Sequence, residues 1–175
     1  MRIRRIDPVD GELLRRTRLR AIADQPGDTT ATLGQTEALT DEHWARAAEA
    51  NATGGTQATF FSVDDDADPA DAVGMIGAYV MGDRVATMVG LWSAPGYRDI
   101  GVGVALLEEV VAWATSSGAD QLRMWVVQRN EHSRRFYEQH GFASSGQTMP
   151  YELDPRVTEV EMLRALVPSP NTIGT

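Results

Sequence analysis

Arg98, Gly101 and Gly103 stand in the pattern Arg-x-x-Gly-x-Gly, between a stretch rich in β-branched and aromatic residues (85–92, VATMVGLW) and an apolar-periodic one. Two glycines at that spacing leave the backbone uncovered by side chains. Consecutive N–H groups of residues 98–104, that is Arg98, Asp99, Ile100, Gly101, Val102, Gly103 and Val104, can then close on an anion where a helix begins and its dipole is positive. The chemistry this points to is phosphate binding; an ordinary glycine-rich strand-to-helix loop is the alternative. Two other phosphate motifs are excluded by the residues themselves. A dinucleotide fingerprint requires a third glycine where Leu106 stands, and a P-loop requires a lysine, which the chain lacks altogether.

Asn130, Ser133 and Tyr137 form a second group. Seven residues at 3.6 per turn bring Tyr137 within about 20° of Asn130 around a helix, with Ser133 on the same face. A tyrosine of ordinary pKa, near 10, is protonated at neutral pH and can donate a proton to a leaving group of similar basicity. A buried tyrosine bonded to a carbonyl is the competing reading. Other chemistries have less support. There is no cysteine, hence no disulfide, thiolate metal site or cysteine nucleophile, and His43, His132 and His140 show no metal-ligand spacing.

These residues need elements to position them. A first strand is expected over 1–6, near an edge, then a helix over 12–23 with Asp10 as N-cap and Leu13, Leu14, Thr17 and Ala21 facing inward. Residues 24–39 lack periodicity and read as a loop, followed by a helix over 40–50 with Trp44, Ala47 and Ala48 inside. Strands are expected over 58–63, 72–81 and 85–92, the acidic run 64–71 being a solvated hairpin tip and Gly82-Asp83 a tight turn. The helix after the glycine loop presents Val104, Leu107, Val110, Val111 and Ala114, with Gly118 just beyond its end. A strand over 120–127 puts Leu122, Met124 and Val126 on one face. Asn130 caps a helix over 131–140, stopped by Gly141, and two closing strands over 142–147 and 157–163 are joined by a turn-rich 149–155.

Taken in this order, strand, Pro-containing turn, Arg98-x-x-Gly101-x-Gly103 and amphipathic helix, then Asn130-Glu-His-Ser-Arg-Arg-Phe-Tyr137 and Gly141-Phe142, the sequence resembles the GNAT superfamily of acyl-CoA-dependent N-acyltransferases. The resemblance implies an α/β (α+β) fold: a mixed, mostly antiparallel sheet of six to seven strands, helices on both faces, in the order β-α-α-β-β-β-α-β-α-β-β. It implies that residues 98–104 hold the pyrophosphate of acetyl-CoA. The strands ending at Trp92 and Val127 would splay apart, and the backbone of Leu91, Trp92 and Ser93 would bind pantetheine and polarise the thioester carbonyl. Asn130 and Ser133 would help hold the cofactor and Tyr137 would protonate the leaving thiolate. The loop between the first two helices would wall the acceptor site, which makes Asp24, Asp28 and Glu37 candidates for gripping an amine against the alternative of solvated acids. Relatives use a strand carboxylate as general base. Neither splayed strand carries one here, Asp83 and Glu37 lie in a turn and a loop, and no base is assigned, His132 being a minor candidate.

A length of 175 residues fits one domain, expected over 1–166 with a disordered tail 167–175. No apolar run spans a bilayer, and the N-terminus lacks a signal-peptide core, so the expected location is the cytoplasm, without membrane partners. The net charge of −9 disfavours nucleic acid and suits a cationic acceptor. Seven of the 16 arginines fall in the first twenty residues and read as a solvated helix face. Two functions remain: an N-acetyltransferase moving an acetyl group from acetyl-CoA to a primary amine of a small molecule or peptide in a ternary complex, needing no metal, or a non-catalytic acyl-CoA-binding module. A homodimer is compatible with either.

Overall fold

A computed structural model of the chain describes residues 1–27, 29–64, 66, 71–82 and 84–166. The elements follow the order β1 (Arg2–Arg5), α1 (Gly11–Asp24), α2 (Leu33–Glu37), α3 (Asp41–Thr53), β2 (Gln57–Val63), β3 (Ala72–Val80), β4 (Val85–Ser93), α4 (Val102–Ser116), β5 (Gln121–Val127), α5 (Glu131–Gln139), β6 (Ala143–Tyr151) and β7 (Asp154–Ala165), with a 3-10 turn over Pro95–Tyr97. One seven-stranded sheet, ordered β1-β2-β3-β4-β5-β7-β6, holds all the strands. Every neighbouring pair is antiparallel except β4 and β5. That parallel pair is connected through α4, as a crossover requires.

Both faces of the sheet are covered. On one, α4 lays Val102, Leu106, Leu107 and Val110 against Phe60, Ile76, Met88, Leu122 and Met124. On the other, α1 and α3 place Leu13, Leu14, Ala21, Trp44 and Ala48 over Phe61, Val63, Met75 and Trp92. Strands buried on both sides read as continuous apolar runs, and β3 is buried over seven successive residues, Ala72 to Ala78.

The helix α4 is turned relative to the periodic reading. Val102, Leu106 and Trp113 are buried with Leu107, Val110 and Ala114, whereas Val104 is exposed and Val111 half-buried. Its apolar stripe is wider than the core it covers, so spacing alone does not select the buried arc. Residues 24–39 also hold more structure than expected. Thr32 and Gln35 form a reciprocal capping box at the start of α2, a five-residue helix too short to show periodicity. Residues 149–155, expected as a turn, are mostly strand. The hairpin needs only residues 152–153 to turn, because β6 is an edge strand and an edge tolerates Pro150.

The N-terminal arginines are structural as well as solvated. Arg4 forms two hydrogen bonds to Asp10, of 2.5 and 3.0 Å. The Asp10 carboxylate also accepts from the Asp7 N–H at 2.7 Å, so it makes no cap hydrogen bond to α1 although it occupies the N-cap position. Arg5 donates to the carbonyls of Asn51, Gly54 and Gln57 and ties off the C-terminal end of α3. The acidic run is likewise partly engaged: Asp71 pairs with Arg16 and Arg20, and Asp64 accepts from the Tyr97 hydroxyl. Residues 65 and 67–70 of that tip, Asp83 of the expected turn and the tail 167–175 lie outside the described residues.

Candidate active site

The strands β4 and β5 pair only at Val85, Ala86 and Thr87 with Gln121, Leu122 and Arg123. Beyond Thr87 they part, while β4 stays bonded to β3 and β5 to β7 as far as Val127. Arg123 bridges the fork, donating to Thr87 Oγ1 at 3.0 and 3.1 Å with Glu161 3.8 Å away. A bulge adds to the opening. Met75 faces Trp92 and Gly77 faces Val89, so Gly90 and Leu91 together oppose Ile76 alone. Gly90 has φ +63°, a backbone conformation costly for any side chain, and the Arg18 guanidinium lies 2.5 Å from where a Cβ would be.

Two adjoining spaces, with four lining residues in common, occupy this opening. The larger, about 620 Å³, runs from the fork to the start of α4 between β4 and α5. Leu91, Trp92, Ser93, Arg98, Asp99, Gly101, Gly103, Val104, Ser133 and Tyr137 line it, joined by His132, Phe136, Gln139 and His140 of the α5 region. Gly101 sits at the N-cap of α4 with φ +91°, and the first hydrogen bond of the helix runs from the Ala105 N–H to its carbonyl. The amides of Val102, Gly103 and Val104 therefore have no acceptor within the helix, and a helix start of this kind favours an anion. The donor set thus fits a diphosphate.

The second space, about 290 Å³, lies deeper in the fork. Val89, Gly90, Met124, Val126, Asn130 and Glu159 are among its walls, and Tyr79, Tyr151, Met149, Thr29, Thr30 and Arg18 complete it. The Tyr151 hydroxyl donates to the Thr29 carbonyl and so straps the end of β6 to the segment after α1. Gln25, Leu91, Ser133 and Tyr137 line both spaces and form the seam between them. Tyr137 is buried, with its ring edge-on to Phe136 and Phe142 at 5.2 and 5.5 Å.

Not every residue singled out in the sequence reaches this opening in the expected manner. Ile100 is 60% exposed and lines neither space, and the Val102 side chain is core, leaving only its amide to face an anion. Asn130 lines the deeper space and caps α5, accepting from the Ser133 N–H at 3.1 Å. Arg98 is already paired: its guanidinium donates to Asp24 and, at 3.2 Å, to the Ser93 carbonyl. Asp24 also accepts from the Trp92 indole at 2.9 Å, so it braces α1 against β4 and lines neither space. Glu37 is exposed and likewise lines neither, and Asp28 falls outside the described residues.

Glu159 and Arg18 are functional candidates that motif reading missed. Glu159 lies on β7, beside Val127 in the register, and is 9% exposed. The signal for it was Glu159 and Glu161 alternating with Val160 and Met162, since an acid in a half-buried strand needs a partner or a purpose. Burial lowers the Arg18 guanidinium below its ordinary pKa. Among the described residues, no group of His, Asp or Glu side chains is placed to hold a metal ion, and no helix is long and apolar enough to cross a membrane.

Residues 23–142 match the model of the acetyltransferase (GNAT) family. An uncharacterized N-acetyltransferase of Mycobacterium bovis is 33% identical over 121 residues, 62% of this chain and 73% of that one. The fold is similar to that of a GNAT-family acetyltransferase from Streptococcus pneumoniae (TM-score 0.76, 22% identity, 95% of this chain and 99% of that chain). It is also similar to PaiA N-acetyltransferase from Thermoplasma acidophilum, solved in complex with coenzyme A (TM-score 0.72, 16% identity, 94% and 98%).

Proposed function

The chain belongs to the GNAT acetyltransferase family, and on that premise we propose that it transfers an acetyl group from acetyl-CoA to a primary amine by direct attack in a ternary complex. The observation that carries this reading is the seam: two spaces, one beginning at the helix start whose amides lack acceptors within the helix, share Leu91 and Tyr137 in the fork of the sheet. Acetyl-CoA supplies the activated acyl group. Its diphosphate is assigned to the amides of residues 101–104, and its pantetheine arm to β4 and the α5 face carrying Ser133.

Leu91, displaced by the bulge, offers a backbone N–H toward the developing charge on the thioester oxygen, a contribution of several kcal/mol in comparable sites. Glu159, across the deeper space, takes a proton from the incoming ammonium, so the nitrogen lone pair can form the new C–N bond as the C–S bond breaks. Tyr137 gives its proton to the departing sulfur. As the tetrahedral adduct collapses the nitrogen gives its second proton to the tyrosinate and keeps the third in the product amide, and Glu159 returns its proton to solvent. Arg98 acts here through its bond to Asp24, holding the turn before α4 rather than reaching for phosphate.

Tyr137→Phe tests the assignment. The expected result is a fall in kcat of about 10²-fold or more with CoA affinity changed less than about threefold. An unchanged kcat refutes the role of Tyr137. Tight acetyl-CoA binding with no thiol release to any amine in a broad panel replaces the enzyme with a binding module.

A further inference from the structure

Arg18 is the cationic side chain that lines the deeper space. The other arginines along α1 are paired: Arg15 with Glu12, and Arg16 and Arg20 with Asp71. Arg98 and Arg123, flanking the fork, have Asp24 and Glu161. Among the described residues Arg18 has no such carboxylate, although it is half-buried against Gly90. A half-buried guanidinium with no carboxylate beside it, its fork of donors facing a cavity, is suited to a planar anion. The cofactor does not supply that anion, because Arg18 lines the deeper space and not the cleft that runs to α4.

Position narrows the ligand further. Arg18 packs on Gly90, the neighbour of Leu91 at the seam, and adjacent Cα atoms are about 3.8 Å apart. An anion held by Arg18 is therefore on the Leu91 side of the deeper space, the side at which the amine must attack. An acceptor with a carboxylate beside its amine fits that placement, and a polyamine, which carries no carboxylate, does not. Glu159, of opposite charge, lines the same space. Met88, Val126, Met149 and Tyr79 form an apolar stretch of a wall that also carries Thr29, Thr30 and Thr87, and about 290 Å³ suits a molecule of amino-acid size.

Resting on the acetyl-transfer reading, we propose that the acceptor is a free α-amino acid with an apolar side chain, its carboxylate held by Arg18 and its ammonium by Glu159. The class excludes polyamines, amino sugars and peptide N-termini, none of which carries a carboxylate next to its amine.

The test compares acid and carboxamide pairs, L-methionine with L-methioninamide and L-leucine with L-leucinamide, by thiol release from acetyl-CoA. The carboxamides have the less basic amine and so more of it neutral, which favours them if the site is indifferent. The expected outcome is a kcat/KM about 10- to 100-fold higher for each acid. In Arg18→Gln, shown to be folded by its thermal transition, the ratio collapses toward one, and Arg18→Lys restores part of it. Carboxamides used as well as acids, or spermidine or a short peptide used in preference, overturn the amino-acid assignment and leave acetyl transfer standing. If no amine releases thiol, acetyl transfer itself fails. Calorimetry of L-methionine against L-methioninamide on the CoA-loaded protein then decides the Arg18 site separately, equal or absent binding overturning it.

Discussion

Gly103 offers the sharpest test of the anion cradle, because the structure separates space from charge there. A Cβ at this position would lie 3.6 Å from Phe136 Cζ and 3.8 Å from Ser93 Oγ, ordinary contact distances, and it would point into the cleft. Gly103→Ala should therefore fold normally. Replacing a helical glycine even favours the helix, by up to about 1 kcal/mol. Gly103→Gln and Gly103→Glu fill nearly the same volume and differ by one negative charge. Two unit charges about 4 Å apart interact by about 1 kcal/mol in bulk water and about 4 kcal/mol near a protein surface. The cleft is open to solvent, so about 2 kcal/mol is a reasonable midpoint, equivalent to about 30-fold in Kd. Calorimetric titration with CoA should then give Glu at least about 30-fold weaker than Gln, with the gap narrowing as salt is raised. Acetyl-pantetheine lacks the diphosphate and should distinguish the two variants little in KM. Equal CoA affinity for Gln and Glu, with both proteins folded, would refute the placement of the diphosphate at α4.

Gly90→Ala should cost about 1–3 kcal/mol in chemical unfolding, since φ +63° becomes strained and the new methyl displaces Arg18; a cost below about 0.5 kcal/mol would contradict the bulge as described. Asp10→Asn should destabilise the protein by about 1–3 kcal/mol at pH 7 through the lost Arg4 contacts. Burial raises the Asp10 pKa, but the Arg4 hydrogen bond, the Asp7 N–H and the charge of Arg4 outweigh it and leave the group below its ordinary 3.8. The stabilisation is thus fully present above that value and is lost as pH falls through the lower folded one. Urea unfolding of both proteins at pH 7 and near pH 2 should show the difference shrinking; a constant difference would mean that the carboxylate is not its source.

Much of the architecture was legible in the chain because local signals and global packing agree. The strand over 85–92, the glycine turn, the helix after it and Asn130 capping α5 all announce themselves through β-branched runs, positive-φ glycines and a side-chain acceptor three residues before its N–H donor. Signals that depend on what lies opposite were less legible. Val104 belongs to the apolar stripe of α4 yet is exposed because the cleft, not the core, faces it. Arg98 belongs to the motif, but Asp24, 74 residues earlier in sequence, already holds its side chain.

The sequence by itself determined the family resemblance, the order of elements apart from α2 and several of the residues that line the cleft, because turns, caps and helix starts are built from contacts within a few residues. The fork between β4 and β5, the depth to which Glu159 is drawn and the absence of a carboxylate beside Arg18 among the described residues were decided by tertiary structure alone. Each depends on strands brought together from distant parts of the chain, and the cost of a buried charge depends on which groups those strands bring to it.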